Sequence, residues 1–129
     1  MQDDQFHYYL ENIEDEHSFH ALSEAGEHIL PKLEAAYWKE SSPERRAAIT
    51  RIIWEYRNPA SPAFLAQLLN DPAEAVWQEA LNGMVTIGGC EARDLLQSAL
   101  ARSDPKKREW IVEAIEQVED GHYSIFRCE

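Results

Sequence analysis

The sequence of 129 residues has few of the features that usually identify a function. Its two cysteines, Cys90 and Cys128, are too few for a disulfide framework, and no apolar N-terminal stretch resembles a signal peptide, so a reducing cytoplasm is expected. Its apolar runs are far shorter than the roughly 20 residues that span a bilayer, and no transmembrane segment is expected. Gly88-Gly89 lacks the lysine and the preceding strand of a phosphate-binding loop and predicts a helix end instead.

Basic residues are also scarce, with 12 Lys and Arg against 24 Asp and Glu and a formal net charge of −12. A direct nucleic-acid partner is not expected, because binding a polyphosphate requires a basic stripe. Residues 1–31 contain eight acids and no Lys or Arg. This region would attract a basic protein, although a surface that merely keeps an acidic domain soluble is an equally good interpretation.

What the sequence does contain is an internal repeat. Two Asp-Pro dipeptides, at 71–72 and 104–105, lie 33 residues apart, and each precedes an amphipathic stretch with a Glu-Ala-aliphatic block. A weaker third copy begins at Ser42-Pro43, and periods of about 20 to 50 residues are typical of stacked helical repeats. We therefore predict one all-α domain, a right-handed α-solenoid, with an N-terminal helix in residues 1–17, helical hairpins at 18–58, 61–88 and 90–120, and a tail at 121–129.

Capping residues and prolines predict where the helices begin and break. Ser42 and Asp71 are expected N-caps, because Ser and Asp side chains accept from the N–H groups of the first helical turn. Each is followed by a proline, which suits the first turn of a helix. Pro31 lies inside the apolar stripe that runs from Leu22 to Tyr37, so the helix is expected to kink or split there.

The repeats resemble the HEAT-repeat superfamily, in particular the short bacterial HEAT-like repeats first noticed in phycobilisome lyases. In the middle copy the first helix carries three leucines, and the second shows the family's Asp, Val, Ala, aliphatic and Ile-Gly positions: Leu65, Leu68, Leu69, Asp71, Val76, Ala80, Met84 and Ile87-Gly88. The copy after Asp104 fits with Trp110-Ile111, Ala114 and Val118. Trp77 replaces the family's usual basic residue.

This resemblance implies a scaffold whose stacked second helices form a concave binding surface. The exposed residues predicted there are mostly acidic: Glu55, Glu74, Gln78, Glu79, Asn82, Glu109, Glu113 and Glu116. In size, charge and fold the chain also resembles immunity proteins of bacterial toxin systems, which implies an inhibitor that neutralises a basic partner such as a toxin domain. The alternative is a HEAT-like accessory protein of the lyase or maturation type, which handles a cofactor or an enzyme partner. Neither resemblance predicts the oligomeric state.

A second acidic surface near the N-terminus is the next choice for a partner: Asp3, Asp4, Glu11, Glu14, Asp15 and Glu16. It lacks the glycine-bearing loop of a calcium site. His20, Glu24 and His28 share a helical spacing and are weak metal candidates, since residues eight apart lie about 12 Å apart along a helix axis. Cys90 at a helix start would favour a thiolate, but no catalytic partner accompanies it. We expect no metal, no other cofactor and no catalytic activity.

Overall fold

The computed structural model describes residues 1–128, which form eight α-helices and one 3₁₀ turn. The helices are α1 (Asp3–Glu11), α2 (Glu16–Glu24), α3 (Leu30–Lys39), α4 (Pro43–Glu55), α5 (Ser61–Leu68), α6 (Glu74–Ile87), α7 (Gly89–Leu100) and α8 (Pro105–Asp120), and the 3₁₀ turn is Glu27–Ile29. Within the described residues, β pairing is limited to an isolated bridge between Gly88 and Phe126. The predicted all-α fold is confirmed, and no helix in residues 1–128 is long and apolar enough to cross a membrane.

The helices stack in two layers. Helix α6 packs between α4 and α8 in one layer, while α5 packs against α7 in the other, and α3/α4, α5/α6 and α7/α8 are the successive hairpins. Fully buried aliphatic side chains from every hairpin join one core, among them Leu33, Ile52, Leu65, Met84 and Leu96. A single hairpin could not bury these side chains, so the stack forms the core, as in other α-solenoids.

The N-terminal part contains more breaks than the sequence predicts. Helix α1 ends at Glu11, and the stripe from Leu22 to Tyr37 is split, as expected, but the split lies at Gly26 rather than at Pro31. Gly26 has φ of +111°, a backbone conformation that favours glycine, and its N–H donates to the Tyr56 hydroxyl at 3.2 Å. Pro31 then lies in the first turn of α3, where its missing N–H costs nothing.

Of the two predicted caps, Ser42 caps its helix and Asp71 does not. Ser42 accepts from the Arg45 backbone N–H and begins α4, and Asp104 accepts from the Lys107 N–H and begins α8. The prediction that Asp71 caps α6 is wrong, because α6 begins at Glu74 after Ala73. The Asp71 side chain turns inward and binds other residues, and its local contact is with the Ala73 N–H at 2.9 Å.

The C-terminal tail returns to the junction of α6 and α7. The Ile125 and Phe126 N–H groups donate to the carbonyls of Thr86 and Ile87, both at 2.9 Å. Cys128 forms a disulfide with Cys90, 38 residues earlier. This bond was not predicted from the sequence, because the two cysteines meet only when the tail folds back beside α7. In this structure Cys90 is therefore not the free thiol considered above.

Candidate functional site

The predicted binding residues occupy the layer of second helices, as the repeat pattern requires. Glu55 lies in α4, residues 74, 78, 79 and 82 lie in α6, and residues 109, 113 and 116 lie in α8. Glu79, Asn82 and Glu113 border a surface groove that crosses α6 between α4 and α8. The other five predicted residues do not line the groove.

We call this depression the α6 groove. Its wider part has a volume of about 420 Å³ and is lined by Arg51, Trp54, Glu79, Asn82, Val85, Thr86, Gln117 and Tyr123. Its narrower part has a volume of about 100 Å³ and is lined by Leu81, Asn82, Val85, Trp110, Glu113, Ala114 and Gln117. Because three residues line both parts, the two are continuous.

Two carboxylates give the α6 groove its negative charge. Glu79 accepts from the Trp54 indole Nε1 at 2.8 Å, and Glu113 accepts from the Gln117 amide at 3.4 Å. Within residues 1–128 neither carboxylate forms an ion pair. Arg51 also lines the groove, but its Nε donates to Glu55 Oε1 at 3.1 Å. The groove therefore presents two acids that form no ion pair within the described chain.

The remaining predicted residues of this face differ in their surroundings. Glu74 accepts from Lys106 Nζ at 2.8 Å and from the Gln78 amide at 2.7 Å, and hydrogen bonding to Glu74 raises the pKa of the Lys106 ammonium. Glu109 and Glu116 are exposed on α8 and do not line the groove. Part of the acidic face is thus already neutralised by the third hairpin.

The second-choice acids are spread over α1, the turn after it and the first residue of α2. Asp3 pairs with Lys32 of α3, whose hydrogen bond lowers the pKa of the Asp3 carboxyl. Glu16 lies 3.5 Å from the His20 imidazole. The cleft between α1 and α3, of about 430 Å³, is lined by Asp3 but also by Lys32 and Lys39. Its charges are mixed, so it is a weaker candidate for a basic partner.

A cavity of about 510 Å³ lies beside Trp38, and its charged side chains are all in ion pairs. Arg46 is paired with Asp71, and Glu40 is paired with Arg45. Trp38 itself is 60% exposed. With its charges paired internally, this cavity offers little to a charged partner.

The structure separates the weak metal candidates. His20 and Glu24 lie in α2, which ends at Glu24, whereas His28 lies in the 3₁₀ turn beyond Gly26. The three residues therefore do not share one helical face, and the His28 Nε2 lies 3.3 Å from the N-terminal amine instead. Among the described residues no group of three His, Cys, Asp or Glu side chains could hold a metal ion.

The sequence analysis missed the aromatic walls of the α6 groove. Trp54 and Tyr123 line its wider part and Trp110 its narrower part, and Tyr123 and Trp110 are 64% and 44% exposed. The recurrence of tryptophan in the helices indicates that one could be an exposed anchor, but not which. Tyr123 carries no sequence signal, because its position depends on the return of the tail to α6.

Comparisons with known proteins agree with this architecture. A family model described as HEAT repeats matches residues 18–116, which include most of α2, all of α3 to α7 and most of α8. No curated protein and no solved structure matches the chain.

Proposed function

This chain belongs to the HEAT repeat family, and from that premise we propose that it is a non-catalytic module that binds a basic protein in the α6 groove. Solenoid repeats generally present extended surfaces to protein partners. The observation that carries the proposal is the pair of groove carboxylates, Glu79 and Glu113, which form no ion pair among the described residues. Exposed aromatic side chains beside them supply the apolar contacts that interface anchors usually make.

The more specific proposal is an immunity-type inhibitor, which occludes a basic toxin domain inside the bacterial cytoplasm. The net charge of −12 supports this proposal, because a field of that sign accelerates association with a basic partner. A single stack of helical hairpins also suits a protein whose task is to cover a surface. Catalysis plays no part in this role.

The test is an affinity capture from lysate of the source organism with the tagged full chain, followed by mass spectrometry. One stoichiometric basic partner, retained at low salt and lost as salt rises, is expected, because exposed charges are screened over about 8 Å at physiological ionic strength. If that partner arrests growth and co-expression of this chain relieves the arrest, the inhibitor role holds. A small molecule retained by the chain instead of a protein would favour the accessory-protein alternative.

Charge reversal locates the surface. We predict that Glu79→Lys with Glu113→Lys raises the Kd for the basic partner at least about 100-fold, or ~2.7 kcal/mol, since opposed like charges cost several kcal/mol. The matched control is Glu24→Lys with Glu91→Lys, two exposed acids on α2 and α7. Each double substitution raises the formal net charge by four, from −12 to −8. A difference in affinity between the two double variants therefore reports the position of the charges and not the net charge. Equal affinity of the two double variants would place the binding surface elsewhere, with the N-terminal acids next to be tested.

The proposed compartment can be tested through the disulfide. Reducing agents of the cytoplasm keep most thiol pairs reduced, whereas an oxidising compartment preserves the bond. Alkylation of thiols in intact cells, before lysis, distinguishes the two states of Cys90 and Cys128. Recovery of the fully oxidised protein would contradict a cytoplasmic location.

A further inference from the structure

The wider part of the α6 groove is built around the Trp54 indole. Gly83 of α6 makes room for it, because a Cβ at Gly83 would lie 2.6 Å from both the Cβ and the Cγ of Trp54. The indole of α4 therefore lies directly against α6, and its N–H donates to Glu79 Oε1 at 2.8 Å. This contact fixes the carboxylate beside the aromatic ring.

One oxygen of that carboxylate remains available. Among the described residues no donor bonds Glu79 Oε2 and no cation pairs with the side chain. The guanidinium of Arg51, which lines the same space, already pairs with Glu55. A ligand that enters this space meets a carboxylate next to an indole, with Oε1 bonded to the indole and Oε2 available as an acceptor.

Tyr123 supplies a second aromatic wall from the C-terminal tail. It is 64% exposed, and the residues after it are held to α6, since the Ser124 hydroxyl donates to the Val85 carbonyl at 2.7 Å and the Ile125 N–H to Thr86 at 2.9 Å. The tail thus places a tyrosine at a cavity that Trp54 and Glu79 also line.

We propose that Trp54, Glu79 and Tyr123 form an arginine socket, a site that receives one arginine side chain of the basic partner. This inference rests on the proposed function and names the group that is recognised. A guanidinium suits the site better than an ammonium, because it is planar, stacks on aromatic faces and donates in a fork to a carboxylate. The cavity of about 420 Å³ admits such a side chain with accompanying water.

The experiment titrates N-acetyl-arginine amide into the ¹⁵N-labelled full chain and follows the Trp54 indole N–H resonance by NMR. A Trp54→Phe variant assigns that resonance. N-acetyl-citrulline amide is the matched probe, because it has nearly the same shape and no charge, and sodium chloride equalises the ionic strength of the two titrations. We expect a saturable shift with arginine and at least tenfold weaker binding of citrulline, with both probes taken to roughly 100 mM.

Two variants test the role of the carboxylate. Glu79→Gln keeps an acceptor for the Trp54 N–H but removes the charge, and it is expected to weaken arginine binding at least tenfold. Glu91→Gln, an exposed position on α7, makes the same change in charge and should leave binding unaltered. Three results would each overturn the arginine socket. They are equal affinity for the citrulline and arginine probes, unchanged arginine binding by Glu79→Gln, and no shift of the Trp54 resonance with arginine.

The failure of the socket and the failure of the proposed function give different results. If arginine leaves the Trp54 resonance unmoved while reversal of Glu79 and Glu113 still abolishes capture of a basic partner, the socket is wrong and the binding module stands. If arginine binds as expected and no basic partner is captured at either salt concentration, the socket stands as a cation site and the proposed function is wrong.

Discussion

Asp71 links two hairpins through a buried ion pair, and its removal provides a quantitative test of the fold. Its carboxylate accepts from Arg46 Nε at 2.8 Å and Nη2 at 3.1 Å, from the Tyr37 hydroxyl and from the Ala73 N–H. The side chains of Asp71 and Arg46 are only 3% and 14% exposed. Asp71→Ala would therefore leave a largely buried guanidinium without its counter-charge and a hydroxyl without its acceptor.

Removal of one partner of a buried ion pair typically costs about 3–5 kcal/mol of unfolding free energy. We expect the lower end, about 3 kcal/mol, because Arg46 Nη1 retains the backbone carbonyls of Glu40 and Ser41 at 3.3 and 2.9 Å. For a chain of this length that loss lowers the thermal midpoint by about 10 °C. With a urea dependence of about 2 kcal/mol per molar, the denaturation midpoint falls by about 1.5 M.

Urea denaturation followed by far-UV circular dichroism measures this loss. The matched control is Asp94→Asn, because Asp94 pairs with Arg93 at 2.9 Å but is 64% exposed, and exposed pairs contribute about 0–1 kcal/mol. A destabilisation by Asp71→Ala of less than about 1 kcal/mol would refute the view that this ion pair fastens the second hairpin to the first.

The pH dependence of stability offers an independent check on the same carboxyl. Burial raises the pKa of Asp71, but the hydrogen bonds from Arg46, Tyr37 and the Ala73 N–H outweigh it and hold the pKa below its ordinary value. The unfolded chain then binds the proton more readily, so the contribution is present above about pH 4 and disappears as the pH falls through the folded pKa. The stability difference between wild type and Asp71→Asn should therefore be constant from about pH 5 to 7 and shrink below about pH 4.

Two further predictions concern the α6 groove and the tail. Gly83→Ala is expected to displace the Trp54 ring and to lower the unfolding free energy by about 1–3 kcal/mol, because the new methyl group would overlap the Cβ and Cγ of Trp54. Unchanged stability and unchanged tryptophan fluorescence would contradict this packing. Reduction of the Cys90–Cys128 disulfide is expected to lower the unfolding free energy by about 2–4 kcal/mol. It should also speed amide exchange at Ile125 and Phe126 while α4 stays protected. Equal exchange in both redox states would show that the hydrogen bonds to α6 are enough to hold the tail.

The repeats could be predicted from sequence because they depend on local chemistry. Ser42 caps its helix as predicted, Asp104 caps α8 in the same way, and both caps involve residues only three positions away. Asp71 has the same local sequence as Asp104, an Asp-Pro dipeptide, but it forms a long-range ion pair instead of a cap. Whether the aspartate caps its helix or forms an ion pair depends on whether an arginine of the preceding hairpin lies close to it. The periodicity of a single sequence does not contain that information.

The binding surface was predictable as a face but not as a site. Helical spacing places Glu79, Asn82 and Glu113 on the second-helix layer, and all three border the α6 groove. The wall formed by Tyr123 depends on the return of the C-terminal tail, in which Cys128 bonds Cys90, 38 residues earlier in the sequence. The fit of Trp54 depends on Gly83 in the neighbouring helix. These are relations between distant segments, and composition and spacing do not reveal them.

The placement of the scarce cations explains why the groove is acidic. Six of the twelve Lys and Arg side chains pair with acids in the described structure: Lys32, Arg45, Arg46, Arg51, Arg93 and Lys106. Lys107 is also committed, since its Nζ donates to the Leu69 carbonyl at 2.7 Å and lies over the Trp77 ring. Arg46 and Lys107 each join one hairpin to a neighbour. Among the described residues Glu79 and Glu113 form no ion pair, and a charge added at these positions should matter more to binding than the same charge added to α2 or α7.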